Sequence, residues 1–441
     1  MKTERNNERH ISGRFYNWLV NEGEKPVYLD IPKESREHVP KNFWKIGLAQ
    51  TLTKLSEELS SAKTILPWLL DSLGASGFWI GFLVPVRESM SMLPQLFISG
   101  IISDKPVRKN VWVFGAVMQA VFLMLISFCS LFLEGNIAGF TIVALLFLYS
   151  TSRGFSSLTS KDVIGKTIPK TRRGRLNGFT SGISGLAVIM LGMILLPLRI
   201  NSSEKYLFSI MLFFAALLII IAALYFSRVN EVAGERNKKN NILKHAVNSL
   251  KLTKSDKSFR MFVIVRALFI STALSAPYYI LAAKQVGGGI EYLGMFILVT
   301  GVASSVSSFF WGKFSDRSSR QVLIVSASMA ATAGIAVALF DFFFLISGNN
   351  LWILLAAYFI FTVAHRGIRI ARKTYILDLA AGDKRTSYIA VANSIIGLIL
   401  LLSGLLGSLS AILKPSEMIF VFSCIACVGI ILSGYLPEVQ K

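Results

Sequence analysis

The sequence predicts an all-α membrane protein, with twelve transmembrane helices in two pseudo-symmetric six-helix halves. Three observations carry this. Apolar residues gather in runs long enough to cross a bilayer. Positive charge falls on alternate loops between those runs. One charged loop is written twice, 212 residues apart.

The 441 residues are 53% hydrophobic and only 16% charged, with a mean hydropathy of +0.57. A soluble domain carries about 25% charged residues. Runs such as VWVFGAVMQAVFLMLISFCSLFL (111–133) and YLFSIMLFFAALLIIIAALYF (206–226) match the length of a membrane-crossing helix. In lipid such a run must be helical, because a helix satisfies its own backbone hydrogen bonds. The alternative is a large soluble core, but such cores stop growing well before they hold a dozen of these helices.

Spans fall near 46–74, 78–100, 111–133, 137–159, 177–198, 206–226, 260–284, 290–312, 322–346, 350–371, 387–412 and 416–436. The loops after even-numbered spans hold most of the Lys and Arg. The odd-numbered loops hold Arg199, Lys205, Lys284 and Lys414. Positive loops stay on the cytoplasmic side, so both termini are expected in the cytoplasm. The same distribution explains the net charge of +21 without nucleic acid. The start, MKTERNNERHISGRF, is too polar for the apolar stretch of a signal peptide. Together with the size, this points to a bacterial inner (plasma) membrane.

The chain divides into a polar tail (1–43), a first half (44–226), a polar central loop (227–259) and a second half (260–437). In the tail, Phe15, Trp18 and Leu19 are spaced for one face of a short interfacial helix, or belong to an unstructured segment. Residues 240–251 read as a solvated basic loop or an interfacial helix. Cys129, Cys424 and Cys427 all lie in apolar runs, with neither disulfide nor metal spacing.

The repeated loop reads GIISDKPVRK at 100–109 and GKFSDRSSRQ at 312–321. At the same offset, Lys54 pairs with Arg266, Lys161 with Lys373 and Arg173 with Arg385. Arg153-Gly154 and Arg366-Gly367 match at 213. A nearly constant offset across several helices means two equivalent halves, a known transporter plan.

Twelve spans, a central loop and Gly-x-x-x-Asp-[Arg/Lys]-x-x-Arg after spans 2 and 8 resemble the major facilitator superfamily over about residues 45–437. The resemblance implies a gate at this loop, carried by Gly100, Asp104, Arg108, Gly312, Asp316, Arg317 and Arg320. It also implies a central cavity lined by spans 1, 4, 7 and 10. One antiporter feature of that superfamily is degraded: span 5 has Gly178 and Gly182, but Ile183 stands where proline would be, and the closing glycine pair is absent.

Charges inside the spans mark the expected site, because each costs at least about 2.5–3.5 kcal/mol at membrane depth. Lys54, Arg87, Arg153, Arg266 and Arg366 are expected in the cavity as receivers of a polar or anionic solute. Glu57, Glu58 and Glu88 are candidates for a coupling proton, since a carboxylate in apolar surroundings can titrate near neutral pH. Salt bridges that cross-link helices are the structural alternative. His365 is a candidate pH sensor, or a satisfied cavity histidine. Arg369 and Asp378 read as structural.

The expected function is secondary transport of a small polar or anionic organic solute, coupled to protons, with alternating access and no cofactor or metal. The expected partners are solute, protons and lipid, with the protein a monomer. The rival is a transporter-like sensor that binds a ligand without moving it. No metal cluster, nucleophile elbow or phosphate loop supports an enzyme.

Overall fold

The computed structural model describes residues 31–93, 105–197, 204–233, 256–287, 289–315, 317–347, 350–379 and 384–439. The tail segment 14–22 and the basic segment 240–251 lie outside them. The described chain is helical, without a strand. The first half holds α1 (Lys33–Arg36), α2 (Val39–Leu59), α3 (Ile65–Ser72), α4 (Gly77–Met92), α5 (Lys109–Phe132), α6 (Gly135–Thr167), α7 (Lys170–Leu195) and α8 (Glu204–Ser227). The second holds α9 (Lys257–Leu268), α10 (Ile270–Gln285), α11 (Ile290–Ser315), α12 (Ser319–Phe344), α13 (Leu351–Leu379), α14 (Lys384–Gly407) and α15 (Pro415–Ser433).

Among the described residues, ten helices are long and apolar enough to cross a membrane. The other two expected spans are present in altered form. Span 1 is α2 plus α3, broken at 60–64 and carrying Lys54, Glu57 and Glu58. Span 2 is α4, which is followed by undescribed residues from 94 onward. The break in span 1 has a local cause. A proline ring clashes with the carbonyl four residues back, so Pro67 disfavours helix through Lys63. Span 7 breaks at Phe269, upstream of Pro277. Both halves therefore interrupt their first span.

Large apolar side chains such as Phe128, Phe132, Ile210, Phe342 and Phe344 stand on the outer surface. That surface suits lipid. The two halves meet along α4 against α14 and α7 against α11. Both crossings rest on glycine. A Cβ on Gly81 would lie 2.4 Å from the Gly407 carbonyl carbon, and one on Gly192 would lie 2.8 Å from Leu298 N. Backbones approach this closely only where no side chain intervenes. These crossings lie toward the odd-loop face.

The even-loop face is tied together within each half. The Glu231 carboxylate is fully buried and accepts from the backbone N–H groups of Arg108 (2.9 Å) and Lys109 (2.7 Å) and from the Lys166 ammonium (3.3 Å). It thus caps the N-terminus of α5, where a negative charge complements the helix dipole. In the second half, Glu438 accepts from the Ser318 hydroxyl at 2.9 Å, and Ser318 caps α12 through Gln321 N at 3.1 Å. Glu-Val occurs at both 231–232 and 438–439, so each half carries its cap just after its last span.

Replacing Glu231 would leave two buried backbone donors unmet and take one of two carboxylates from Lys166, which keeps Asp162 at 3.8 Å; the unmet donors cost on the order of 2 kcal/mol. Glu231→Ala is expected to unfold several degrees below the parent in detergent, whereas Glu134→Ala, at an exposed ion pair with Lys205, is expected to unfold with it. Thermal unfolding of the two variants checks this.

Candidate functional site

Between the halves lies a cavity of about 580 Å³. Its lining runs from Ala276 and Phe361, near mid-depth, to Lys161, Ile376 and Leu377, toward the even-loop face. On the odd-loop side the halves are bolted together. Lys284, at the end of α10, lies 3.0 Å from Asp71 Oδ2 and 3.7 Å from Glu204 Oε2, and donates to the Trp68 carbonyl at 3.3 Å. Its ammonium sits 5.2 Å from the Trp68 ring centroid, and Trp68 Nε1 donates to Glu204 at 3.1 Å. Ser410 adds a hydrogen bond to the Gly77 carbonyl at 2.7 Å. The structure is therefore closed at the odd-loop face, with its cavity extending toward the even-loop face.

Charge dominates the cavity wall. Nine Lys and Arg side chains line it, against three glutamates. Glu57, at the end of α2, takes a two-pronged bond from Arg153 of α6, with Nε at 2.6 Å and Nη2 at 3.0 Å. Glu88 of α4 faces Lys63 at 3.8 Å. Glu58 lines the cavity without a hydrogen bond or ion pair among the described residues. Arg87 donates to the Tyr149 hydroxyl at 3.2 Å and stacks 4.4 Å above that ring. Arg266 of α9 donates to Asn393 at 2.8 Å. Arg366 of α13 lines the wall across from Glu58.

Lys54 departs from its expected place. It is not on the cavity wall; its ammonium donates to Thr180 and Ser181 of α7, each at 2.9 Å. A lysine stem is long enough to swing between helices, and two hydroxyls on α7 hold it there. The spacing of apolar residues did not show that direction.

Five cavity cations were not singled out as cavity residues from the sequence: Lys63, Lys161, Arg369, Arg372 and Lys373. Arg369 reads as structural in the sequence, and Arg372 and Lys373 fall just past the expected end of span 10 at 371. The reason is helix length. At 1.5 Å per residue, the 29 residues of α13 extend about 43 Å, well beyond the hydrocarbon core. Residues 366–373 therefore stay helical and turn inward. The signal was available in the spacing: 366, 369 and 373 recur at i, i+3 and i+7, one helix face.

His365 links the two halves. The Lys63 ammonium lies 3.4 Å from His365 Nε2, and His365 Nδ1 lies 3.1 Å from the Thr272 hydroxyl. That hydroxyl donates to the Phe269 carbonyl at 2.8 Å. An ammonium only donates and a carbonyl only accepts, so one tautomer fits: Nε2 accepts and Nδ1–H donates. The chain joins the break in span 1 to the break in span 7.

Of the repeated loops, Gly100, Asp104 and Asp316 lie outside the described residues, and of Gly312 only its place in α11 is described. Arg108 pairs with Asp162 of α6. Arg320 donates to the Gly434 carbonyl at 2.6 Å, and Arg317 is exposed. Arg108 and Arg320 thus bind within their own halves.

Two six-helix halves closing on one face around a charged central cavity define a membrane transporter. The family model of the Major Facilitator Superfamily matches residues 58–343 and, in a second match, 261–441. The chain belongs to that superfamily. An uncharacterized MFS-type transporter of Methanocaldococcus jannaschii is 24% identical over 415 residues, covering 91% of this chain and 96% of that one. Among solved structures, the nucleoside transporter NupG superposes with a TM-score of 0.71 at 12% identity, covering 90% of this chain and 99% of that one. A D-xylose-proton symporter superposes with a TM-score of 0.69 at 13% identity, covering 90% and 98%. At these identities the likeness is one of fold.

Removing the bolt on the odd-loop face should shift the balance of conformations. Lys284→Gln loses two ion pairs worth about 1 kcal/mol together, so opening on that face should rise about fivefold. The readout is labelling of Ala62→Cys, in a background with the three native cysteines replaced, by a bulky thiol reagent added from the odd-loop side. Unchanged labelling would show that the glycine crossings and the Ser410–Gly77 bond hold that face shut without Lys284.

Proposed function

We propose that the protein is a secondary active transporter of a small organic anion, coupled to protons and working by alternating access. The observation that carries this is the excess of cations on the cavity wall, nine against three glutamates. Charged groups that line a membrane cavity mark the path of a substrate or ion, and an excess of one sign favours a cargo of the other. In this reading the even-loop face is cytoplasmic, which follows from its Lys and Arg, and the structure is the inward-facing state. The Lys284 cluster is the outer gate. The two charged loops are the inner gate, their arginines Arg108 and Arg320 parked within their own halves until that face closes.

Glu58 is the proposed proton carrier. Glu57 is held by Arg153 and Glu88 faces Lys63, so both have a cation to keep them ionised. Glu58 has no such contact among the described residues and opens on the same cavity as Arg366. An entering anion and an arriving proton would then compete for and compensate the same local charge.

The test is uptake by proteoliposomes of a panel of organic anions, with and without an inward proton gradient. Glu58→Gln is expected to keep anion exchange while losing about tenfold or more of gradient-driven accumulation, a difference of at least about 1.4 kcal/mol in coupling. Glu57→Gln is expected to lose both, because it releases Arg153 into the cavity. Parent-like accumulation by Glu58→Gln would remove that residue from the coupling role. If no anion moves under any condition, the transport reading itself falls.

A further inference from the structure

The cavity charges divide unequally between the halves. The first-half wall carries Lys63, Arg87, Arg153 and Lys161 together with all three glutamates, so it is close to self-neutralised. The second-half wall carries Arg266, Arg366, Arg369, Arg372 and Lys373 and no acid. None of these five has a carboxylate within 4.0 Å among the described residues. From this we infer that the cargo carries at least two negative charges and docks them on the second half, on α13 and α9.

The argument is one of stoichiometry and geometry. One carboxylate is satisfied by one guanidinium, as Glu57 and Arg153 show within this cavity. A monoanion would answer one of five cations and leave the rest facing each other. Arg366 and Arg369 stand one helical turn apart on α13, and Arg372 continues inward of them. Arg372 and Arg266 line a common small void between α13 and α9. Arg266 is only 8% exposed, and its Nε has no hydrogen-bond partner. Among the described residues Arg266 is bonded to Asn393 through Nη2 alone, so its remaining donors and the neighbouring Arg372, which also line the main cavity, are open to an anion that enters it. A phosphate monoester or a dicarboxylate supplies both the charge and the several acceptor oxygens that guanidinium forks bind. The less charged end, lined by Tyr358, Phe361 and Ala276, would take the remainder of the solute.

This rests on the reading of the cavity as an anion site, and the test separates the two. Purified full-length protein is titrated with matched probes, and the ligand-induced rise in Tm gives the half-saturating concentration. The pairs are succinate with monomethyl succinate, and glycerol 3-phosphate with its methyl ester, a phosphodiester of one charge; glycerol is the neutral control. We expect the dianion of at least one pair to half-saturate at a concentration about tenfold lower than its partner, the factor one further charge contact supplies. Arg369→Gln should bring that ratio close to one while Arg369→Lys retains most of it. Arg372→Gln serves the same purpose should Arg369→Gln fail to fold. Equal half-saturation by succinate and monomethyl succinate, and by glycerol 3-phosphate and its methyl ester, overturns the inference; a cavity that still prefers these anions to glycerol would leave the anion reading standing. No shift with any anion overturns both. A dianion preference untouched by both arginine variants would overturn the assignment to α13.

Discussion

An ionised side chain at membrane depth is stable only when something of opposite charge answers it, and this chain places more than a dozen ionisable groups within its spans. That constraint organises the fold. The lipid-facing surface is left largely to residues such as Phe, Leu, Ile and Met, and most of the charges are turned inward, the largest group of them to one shared cavity. Of the helices that carry them, spans 1 and 7 break, while α6 and α13 run unbroken. The interruption at 60–64 places Glu57 and Glu58 at the end of one helix and Lys63 in the gap beside them. The interruption at Phe269 exposes a carbonyl that ends the chain from Lys63 through His365 and Thr272.

The two faces of the molecule are held by different means. On the odd-loop side the halves touch through glycine crossings, where backbones meet without side chains, through Ser410 on the Gly77 carbonyl, and through Lys284, answered by two acids and an indole. On the even-loop side each half is braced internally, by Glu231 in one and Glu438 in the other. Rigid halves joined at one end are what a rocking transition needs: contacts within a half persist while contacts between halves exchange.

Much of this was legible before any coordinates. The lengths of the apolar runs, the alternation of positive loops and the offset of 212 residues contain the twelve spans and their two-fold repetition, and the repeated loop points to the superfamily. The candidate site was legible in part. Arg153, Arg266, Arg366 and the three glutamates were visible because a charge in an apolar run stands out. Arg369, Arg372, Lys373 and Lys161 sit near span ends, where hydropathy cannot separate a helix that continues inward from a loop. Lys54 had the expected charge and depth, but which neighbour its long side chain reaches is not written in its own helix.

The sequence by itself determined the class of protein, its helices, its repeat and its orientation signal, because these follow from local periodicity and from the cost of placing polar groups in lipid. Only the tertiary structure decided which charges answer each other. Arg153 with Glu57, Lys63 with Glu88 and His365, and Lys284 with Asp71 and Glu204 join residues as much as 302 positions apart. Such pairings depend on how helices from two halves face one another across a cavity, and that arrangement is a property of the packed whole. The same arrangement leaves one wall neutralised and the other bare, a division that a list of charged residues does not contain.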